Sequence, residues 1–467
     1  MTHYDLVVIG TGSGNTIVNH RFADWKVAIV ERGVFGGTCL NKGCIPTKMF
    51  VHTADVAATP AGSARYGVDE ELIGVRWPEV RDRIFGRIDP ISGAGSEYRH
   101  HNAENANVTM YDGTGRFTGV KELTVDGKDG QTSVLTGDRF VLAAGSRPIL
   151  PPIPGLEETG YHTSDTIMRL EELPRRLAIL GGGFVAAEFA HVFASFGVEV
   201  TLIARSERLL RLEDTDISER YTEIAQDKYD VRLNHETIRV ARRPDGSILL
   251  GMLCPDGAEE VIVDELLVAV GRTPNADLMN LEATGVEVDH EGRVVVDDYM
   301  QTAVDGIYAL GDVTSPLQLK HVANHEARVV KHNLLNPDDR IQADHRFVPH
   351  AVFSSPQIAA VGLTEKEAQD QGIDYVTSTQ KYADIAYGWA MEDTTGFAKL
   401  LADPTTGQLL GAHIMGPQAP TVIQPLIQAM SFGLGAYEMA RNQYWIHPAM
   451  PELIENALLG LPLKPKN

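Results

Sequence analysis

One pattern occurs twice in this chain and constrains its fold more than any other feature. Residues 4–15 read YDLVVIGTGSGN and residues 177–188 read LAILGGGFVAAE: a short apolar strand, closely spaced glycines, then the expected start of a helix. A second apolar strand follows each, VAIVE at 27–31 and VEVTLI at 198–203. This is the grammar of a βαβ dinucleotide-binding unit. Its glycines allow a tight turn and close backbone approach to a pyrophosphate, and the unpaired N–H groups at the helix start point at that anion. One such match would be no more than a turn between a strand and a helix. Two, about 170 residues apart and in the same context, predict two dinucleotide sites. The residues at issue are Gly10, Gly12, Ser13 and Gly14 in the first unit, and Gly181 and Gly183 in the second. Asn15 stands where the first unit would carry its third glycine. That glycine serves helix–strand packing, so Asn15 is expected to change packing more than phosphate contact.

The residue ending the second strand of each unit predicts which dinucleotide binds. Glu31 lies 21 residues after Gly10. A carboxylate there accepts ribose hydroxyls and repels a 2′-phosphate, so the first site takes FAD or NAD. The second unit carries Arg205, Arg208 and Arg211 instead. Guanidinium forks suit a 2′-phosphate, which points to NADPH; a lone Arg205 would equally be a solvated strand-end charge.

Charge excludes other classes. The chain of 467 residues has 63 acidic against 41 basic side chains, a formal charge of -22. Such a chain repels phosphate backbones, so no nucleic-acid partner is expected. No apolar run reaches the ~18 residues that span a bilayer; Asp264 and Glu265 interrupt the stretch from Val261 to Val270. No secretory signal is read at the N-terminus, so a cytoplasmic location and no membrane partner are expected. Beyond the two units, VDELLVAVGRTPN at 263–275 reads as strand, 294–313 as hairpin-like, and the region from about Arg346 as an α+β domain with helices near 418–432 and 451–458.

Only three cysteines occur, and two lie together in GGTCLNKGCIPTK at 36–48. A five-residue helical step rises ~7.5 Å, whereas a disulfide needs Cα atoms within about 6.8 Å. A redox pair at Cys39 and Cys44 therefore requires a backbone break, for which Gly43 and Pro46 are suited. Zinc would need two more ligands. The remaining cysteine, Cys254, is isolated in another segment, so no metal site is expected and Cys254 reads as a buried small apolar residue.

With these motifs in hand the chain resembles the flavin-dependent pyridine nucleotide–disulfide reductases, which include glutathione reductase and lipoamide dehydrogenase. The resemblance runs the whole length, through GGTCLNKGC, VLAAGSRP at 141–148, GGGFVAAE, VGRTPN at 270–275, ALGDV at 309–313 and HPAMPE at 447–452. It implies an α/β fold of two Rossmann-like domains and a C-terminal α+β dimerisation domain. The expected division is FAD-binding residues 1–150 and 271–345, NADPH-binding residues 151–270, and dimerisation residues 346–467. It implies that Lys48 sits by the flavin and pairs with Glu188, that Asp312, Thr38, Ala323 and Gly115 contact FAD, and that Gly271 and Arg272 line the nicotinamide side. It implies a homodimer in which His447, oriented by Glu452, acts as acid–base on the partner subunit's disulfide. Cys44 becomes the thiolate at the flavin, and Cys39, further out, attacks the substrate. Ala follows His-Pro here where relatives commonly have Thr, which leaves the His–Glu pair intact. The expected reaction carries electrons from NADPH through FAD and the Cys39–Cys44 pair to a low-molecular-weight thiol disulfide. Lipoamide dehydrogenase or a glutathione-type reductase are the alternatives.

Overall fold

The computed structural model describes residues 1–463; the last four residues of the expected dimerisation domain lie outside the described residues. Strand Thr2–Ile9 pairs in parallel with Val27–Glu31 on one side and with Thr132–Leu142 on the other. Val108–Gly119 and Ile307–Ala309 extend this layer at its two edges. The far halves of Val108–Gly119 and Thr132–Leu142 run past it and join Glu122–Gly127 in an antiparallel meander. The second unit repeats the plan. Arg176–Leu180 lies between Glu199–Ile203 and Glu265–Val268, with Asp230–Arg232 outside, and an antiparallel sheet of Glu236–Arg242, Ile248–Cys254 and Gly257–Val263 is inserted before the last parallel strand. The first glycine of each turn has positive φ, +106° at Gly10 and +138° at Gly181. A Cβ there would lie 2.3 Å from the carbonyl oxygen of Ala143 or Ala269 respectively, so only glycine lets the turn lie against the neighbouring strand.

The two units differ where the helix should begin. After Gly183 the chain forms the helix Phe184–Ser195. After Gly12 it forms a single 3-10 turn, Gly14–Thr16, and then a second, His20–Phe22, with Asn19 as its cap. The expected first helix is therefore absent. Asn15, the β-branched run Thr16–Val18 and Asn19 are poor helix formers. Arg99, buried on the helix Trp77–His101, donates to the carbonyls of Asn15 (3.0 Å) and Val18 (2.8 Å), which removes their need for helical N–H partners. The packing role of the third glycine falls to Gly14, where a Cβ would come within 2.7 Å of Ala143 Cβ.

Two helices not foreseen from the sequence, Cys44–Ser63 and Trp77–His101, pack with Phe184–Ser195 around Phe50, Trp77 and Phe193. The Phe50 and Trp77 rings stack at 5.2 Å. This joins the two dinucleotide units directly under the cysteines. Segment 294–313 is hairpin-like as expected, though short: Gln301 bridges Tyr308 in antiparallel fashion, with the Thr302 N–H donating to Ile307 and the Ala309 N–H to Met300, and Ile307–Ala309 is its regular strand among the described residues.

The last domain is an antiparallel sheet in the order His350–Val352, Ile358–Gly362, Leu409–Met415, Phe397–Ala402, Val376–Lys381. The expected helices appear as Ala419–Val422, Gln424–Phe432 and Glu452–Leu459, which bury Leu426, Leu453 and Ile454 in one core with the sheet. Lys399 of this sheet, 3 % exposed, ties the domain to the second dinucleotide unit through Asp214 (2.9 Å) and Asp216 (2.8 Å).

Candidate active site

The short helix Gly37–Asn41 carries Thr38 and Cys39; it stops at Lys42, and the long helix starts at Cys44. Gly43 makes the break, with φ -136° and ψ -122°, and lies so close to Thr38 that a Cβ would be 3.0 Å from its carbonyl oxygen. The break expected between the cysteines is thus present, and it leaves Cys44 in the first turn of a helix, where unpaired N–H groups favour an anion. Both cysteines are free thiols here. The Cys39 thiol donates a hydrogen bond to Cys44, which is the main reason the Cys44 thiol is pulled down to about 7; its own backbone amide and the charge of Lys48 add to this, against burial and Asp312. The same bond, burial and the charge of Cys44 push the Cys39 thiol well above its ordinary value, with Lys320 opposing. Cys39 is half-buried and Cys44 exposed in the single chain. Charge and hydrogen bonding, not exposure, distinguish them.

This asymmetry has a direct test. In the reduced enzyme, alkylation of Cys44 is expected to rise with pH through a midpoint near 7, because its pKa is depressed and the thiolate is the reactive form above it. Lys48→Met raises that midpoint. Alkylation of Cys39 ahead of Cys44 in this range contradicts the arrangement.

Lys48 follows Cys44 by one helical turn. Its ammonium donates to Glu188 Oε1 at 2.5 Å and lies 4.3 Å from the centre of the Phe353 ring. Glu188 is 5 % exposed and also accepts from the Phe353 N–H. The pair expected from the resemblance therefore forms, because Cys44–Ser63 packs against Phe184–Ser195. Phe353, a residue sequence reasoning missed, completes it.

Around the first turn, Glu31 uses both oxygens: Oε2 accepts from the Thr11 N–H (2.8 Å) and hydroxyl (2.6 Å), and Oε1 from the Gly33 N–H (2.6 Å). Ser13 donates to Asn324 and accepts from Lys320. Gly37 approaches Gly12 so closely that a Cβ on Gly37 would be 2.7 Å from Gly12 Cα. Gly115 lies in the meander strand beside Val30, one residue before Glu31, and Ala323 packs beside Gly311. Asp312 accepts from the Ser146 hydroxyl at 2.7 Å, and Arg272 donates to the same hydroxyl and to the Ser146 carbonyl, both at 2.8 Å. Arg272, on the strand after Gly271, thereby shares the Ser146 hydroxyl with Asp312. A bare-glycine cradle with Lys320 at its mouth, meeting no carboxylate among the described residues, fits a diphosphate, so these residues suit FAD. Lys320 and Arg99 carried no sequence signal, because their partners lie 307 and 84 residues away.

In the second unit, Arg205 and Arg211 are exposed and, among the described residues, make no ion pair. Arg208 is held by Glu219 at 2.8 Å. Two guanidinium groups are therefore free beside the turn of Gly181 and Gly183, which suits a 2′-phosphate. In the last domain His447 Nδ1 and Glu452 Oε1 are 2.5 Å apart. A carboxylate only accepts, so Nδ1 carries the proton and Nε2 is left free on an exposed ring beside exposed Tyr444 and Ile446. Cys254 is not buried: it is half-exposed, its thiol faces Glu259, and with His235 the three residues bring ligand atoms within 4.8 Å of one another. Arg232 already occupies Glu259 at 2.9 Å.

Two dinucleotide cradles meeting at a thiol pair with one acidified sulfur define a pyridine nucleotide-linked dithiol oxidoreductase. Sequence comparison agrees. Residues 4–327 match the pyridine nucleotide-disulphide oxidoreductase family and residues 348–458 its dimerisation domain. The chain belongs to this family. It is a disulfide oxidoreductase that uses FAD and NAD(P)H and carries the family's dimerisation domain. It is 52% identical to a mycothione reductase of Mycobacterium tuberculosis over 99% of this chain and 100% of that protein. It is 33% identical to a dihydrolipoyl dehydrogenase of Corynebacterium glutamicum over 98% of each. An HOCl-induced flavoprotein disulfide reductase of Escherichia coli, solved as a Cu(II) complex, superposes with TM-score 0.85 at 30% identity over 98% of this chain and 99% of that one. No helix among the described residues is long and apolar enough to cross a membrane.

Proposed function

We propose that this chain reduces mycothione, a low-molecular-weight thiol disulfide, to two mycothiol with electrons from NADPH. The observation that carries this is the 52% identity to mycothione reductase over the whole of both chains, against 33% to dihydrolipoyl dehydrogenase at similar coverage. Side-by-side turnover of mycothione, glutathione disulfide and lipoamide tests it. Faster turnover of either competitor, or of dihydrolipoamide with NAD, rejects it. The reading assigns residues 1–150 and 271–345 to FAD, 151–270 to NADPH and 346–467 to dimerisation, with the enzyme in the cytoplasm.

The glycine turn of Gly10, Gly12 and Gly14 with Glu31 and Lys320 would hold FAD, which would supply the two-electron chemistry linking NADPH to the Cys39–Cys44 disulfide. The chain's own residues do the rest. Lys48 and the helix start hold Cys44 as a thiolate, and Glu188 holds Lys48. Cys39 keeps its proton, so a base must take it as the sulfur attacks the substrate disulfide. His447 of the partner subunit is that base, and its Nε2 returns the proton to the first departing thiol. Cys44 then attacks the Cys39 sulfur, the second thiol leaves, and the Cys39–Cys44 disulfide is restored. Glu452 keeps the imidazole in the tautomer this needs.

Arg205 and Arg211 set the nucleotide preference. Replacing both by Gln is expected to weaken NADPH on the order of 10–100-fold while NADH changes little, as exposed charge-assisted bonds to a phosphate are lost. Equal loss for both nucleotides removes these arginines from recognition of the 2′-phosphate.

A further inference from the structure

The chain contains its own control for the electrostatics of the FAD site. Both turns are built to meet a diphosphate, but only the second is followed by an α-helix, Phe184–Ser195, of 12 residues. An α-helix presents roughly half a positive charge at its N-terminus. The first turn runs into three residues of 3-10 structure and has no such dipole behind it. A diphosphate brings two negative charges to either turn, in a protein whose net charge is -22.

Two cations stand at the first turn, and neither meets a carboxylate among the described residues. Lys320 begins the helix Lys320–Leu335, and its ammonium donates to Ser13 Oγ at 2.8 Å. Ser13 is 8 % exposed and passes its own proton to Asn324 Oδ1 at 3.1 Å, so its hydroxyl is fixed between the two. Behind the turn, Arg99 is 7 % exposed and donates only to neutral oxygens: Asn15 Oδ1 (2.8 Å), Asn105 Oδ1 (2.7 Å) and the carbonyls of Asn15 and Val18. A buried guanidinium without a counter-charge is costly unless an anion binds nearby. Burial already pulls its pKa down.

We infer that Lys320 supplies the positive charge that the missing helix would have offered to the FAD diphosphate, and that Arg99 is the positioning residue that holds the shortened turn against it. This rests on the family's use of FAD at the first site. It explains why the chain tolerates Asn15 and a helix-poor run at its cofactor turn: the anion is met by a side chain arriving from residue 320 instead of by the backbone dipole.

The test is release of FAD from the holoenzyme, followed by the rise in flavin fluorescence on dilution. Lys320→Met is expected to release FAD on the order of 10-fold faster or more, with a weaker response to added salt, because a screened charge pair has been removed. Lys320→Arg, which keeps the charge, is expected to stay near wild type. Arg99→Lys is expected to release FAD faster by a smaller factor, since charge remains but the fork that holds two carbonyls is lost. Binding of NADPH to the second site serves as the internal reference and is expected to be unchanged in all three. Wild-type retention of FAD in Lys320→Met or in Arg99→Lys removes that residue from the proposal. Equal weakening of FAD and NADPH overturns it, because it would mark general loosening. A wild-type protein that purifies without flavin would instead refute the assignment of FAD to this site.

Discussion

Cys39→Ser and Cys44→Ser each lose disulfide reduction by at least on the order of 10³-fold, but they differ in colour. Cys39→Ser retains Cys44 at the helix start beside Lys48, where a serine hydroxyl can still donate to it. A thiolate facing oxidised flavin produces a long-wavelength charge-transfer absorption, and this variant is expected to show it without any reductant. The band follows the Cys44 thiolate: it is present above a pH near 7 and fades as pH falls through that value. Cys44→Ser removes the thiol held as an anion at the helix start and leaves Cys39, which burial alone still pushes upward against Lys320, so it is expected to show no band at neutral pH. A band in Cys44→Ser and none in Cys39→Ser would reverse the two roles. The result does not depend on which disulfide is the substrate, so it tests the dithiol alone.

Mixing two inactive variants, Cys39→Ser and His447→Ala, is expected to restore activity in the heterodimer. His447 sits exposed on the dimerisation domain with Nε2 free, next to Tyr444 and Ile446, which are also exposed in the single chain. A twofold interface makes each subunit donor and recipient of the same residues. A heterodimer then has one site with both Cys39 and His447 and one with neither, and about half the wild-type activity per heterodimer follows. As a homodimer, His447→Ala loses about 10²–10⁴-fold, the usual contribution of a positioned acid–base group. Glu452→Gln loses less, because the imidazole survives and only its tautomer is less well held. Heterodimers that assemble and remain as inactive as their parents would place His447 in its own subunit's site, or outside the chemistry.

Much of this site is legible in the order of residues alone, and the reason is local. A glycine turn against a neighbouring strand and a backbone break between two cysteines are each encoded within a few residues. Steric and hydrogen-bond rules therefore read them from the chain. The break at Gly43 and the positive-φ Gly10 and Gly181 belong to this class, whereas the His447–Glu452 pair was anticipated through resemblance to relatives. Other features depend on which distant elements share a core. Lys48 meets Glu188 because Phe50, Trp77 and Phe193 bring two helices together, a pairing anticipated only through resemblance to relatives. The loss of the first helix lies in a hydrogen-bond competition that Arg99 decides from 84 residues away. Lys320 reaches Ser13 across 307 residues, and Asp312 is joined to Arg272 through Ser146. The sequence by itself determined the turns, the thiols and the chemical class. Only the tertiary structure decided where the compensating charges stand, because charge acts through space and its position follows from packing rather than from order along the chain.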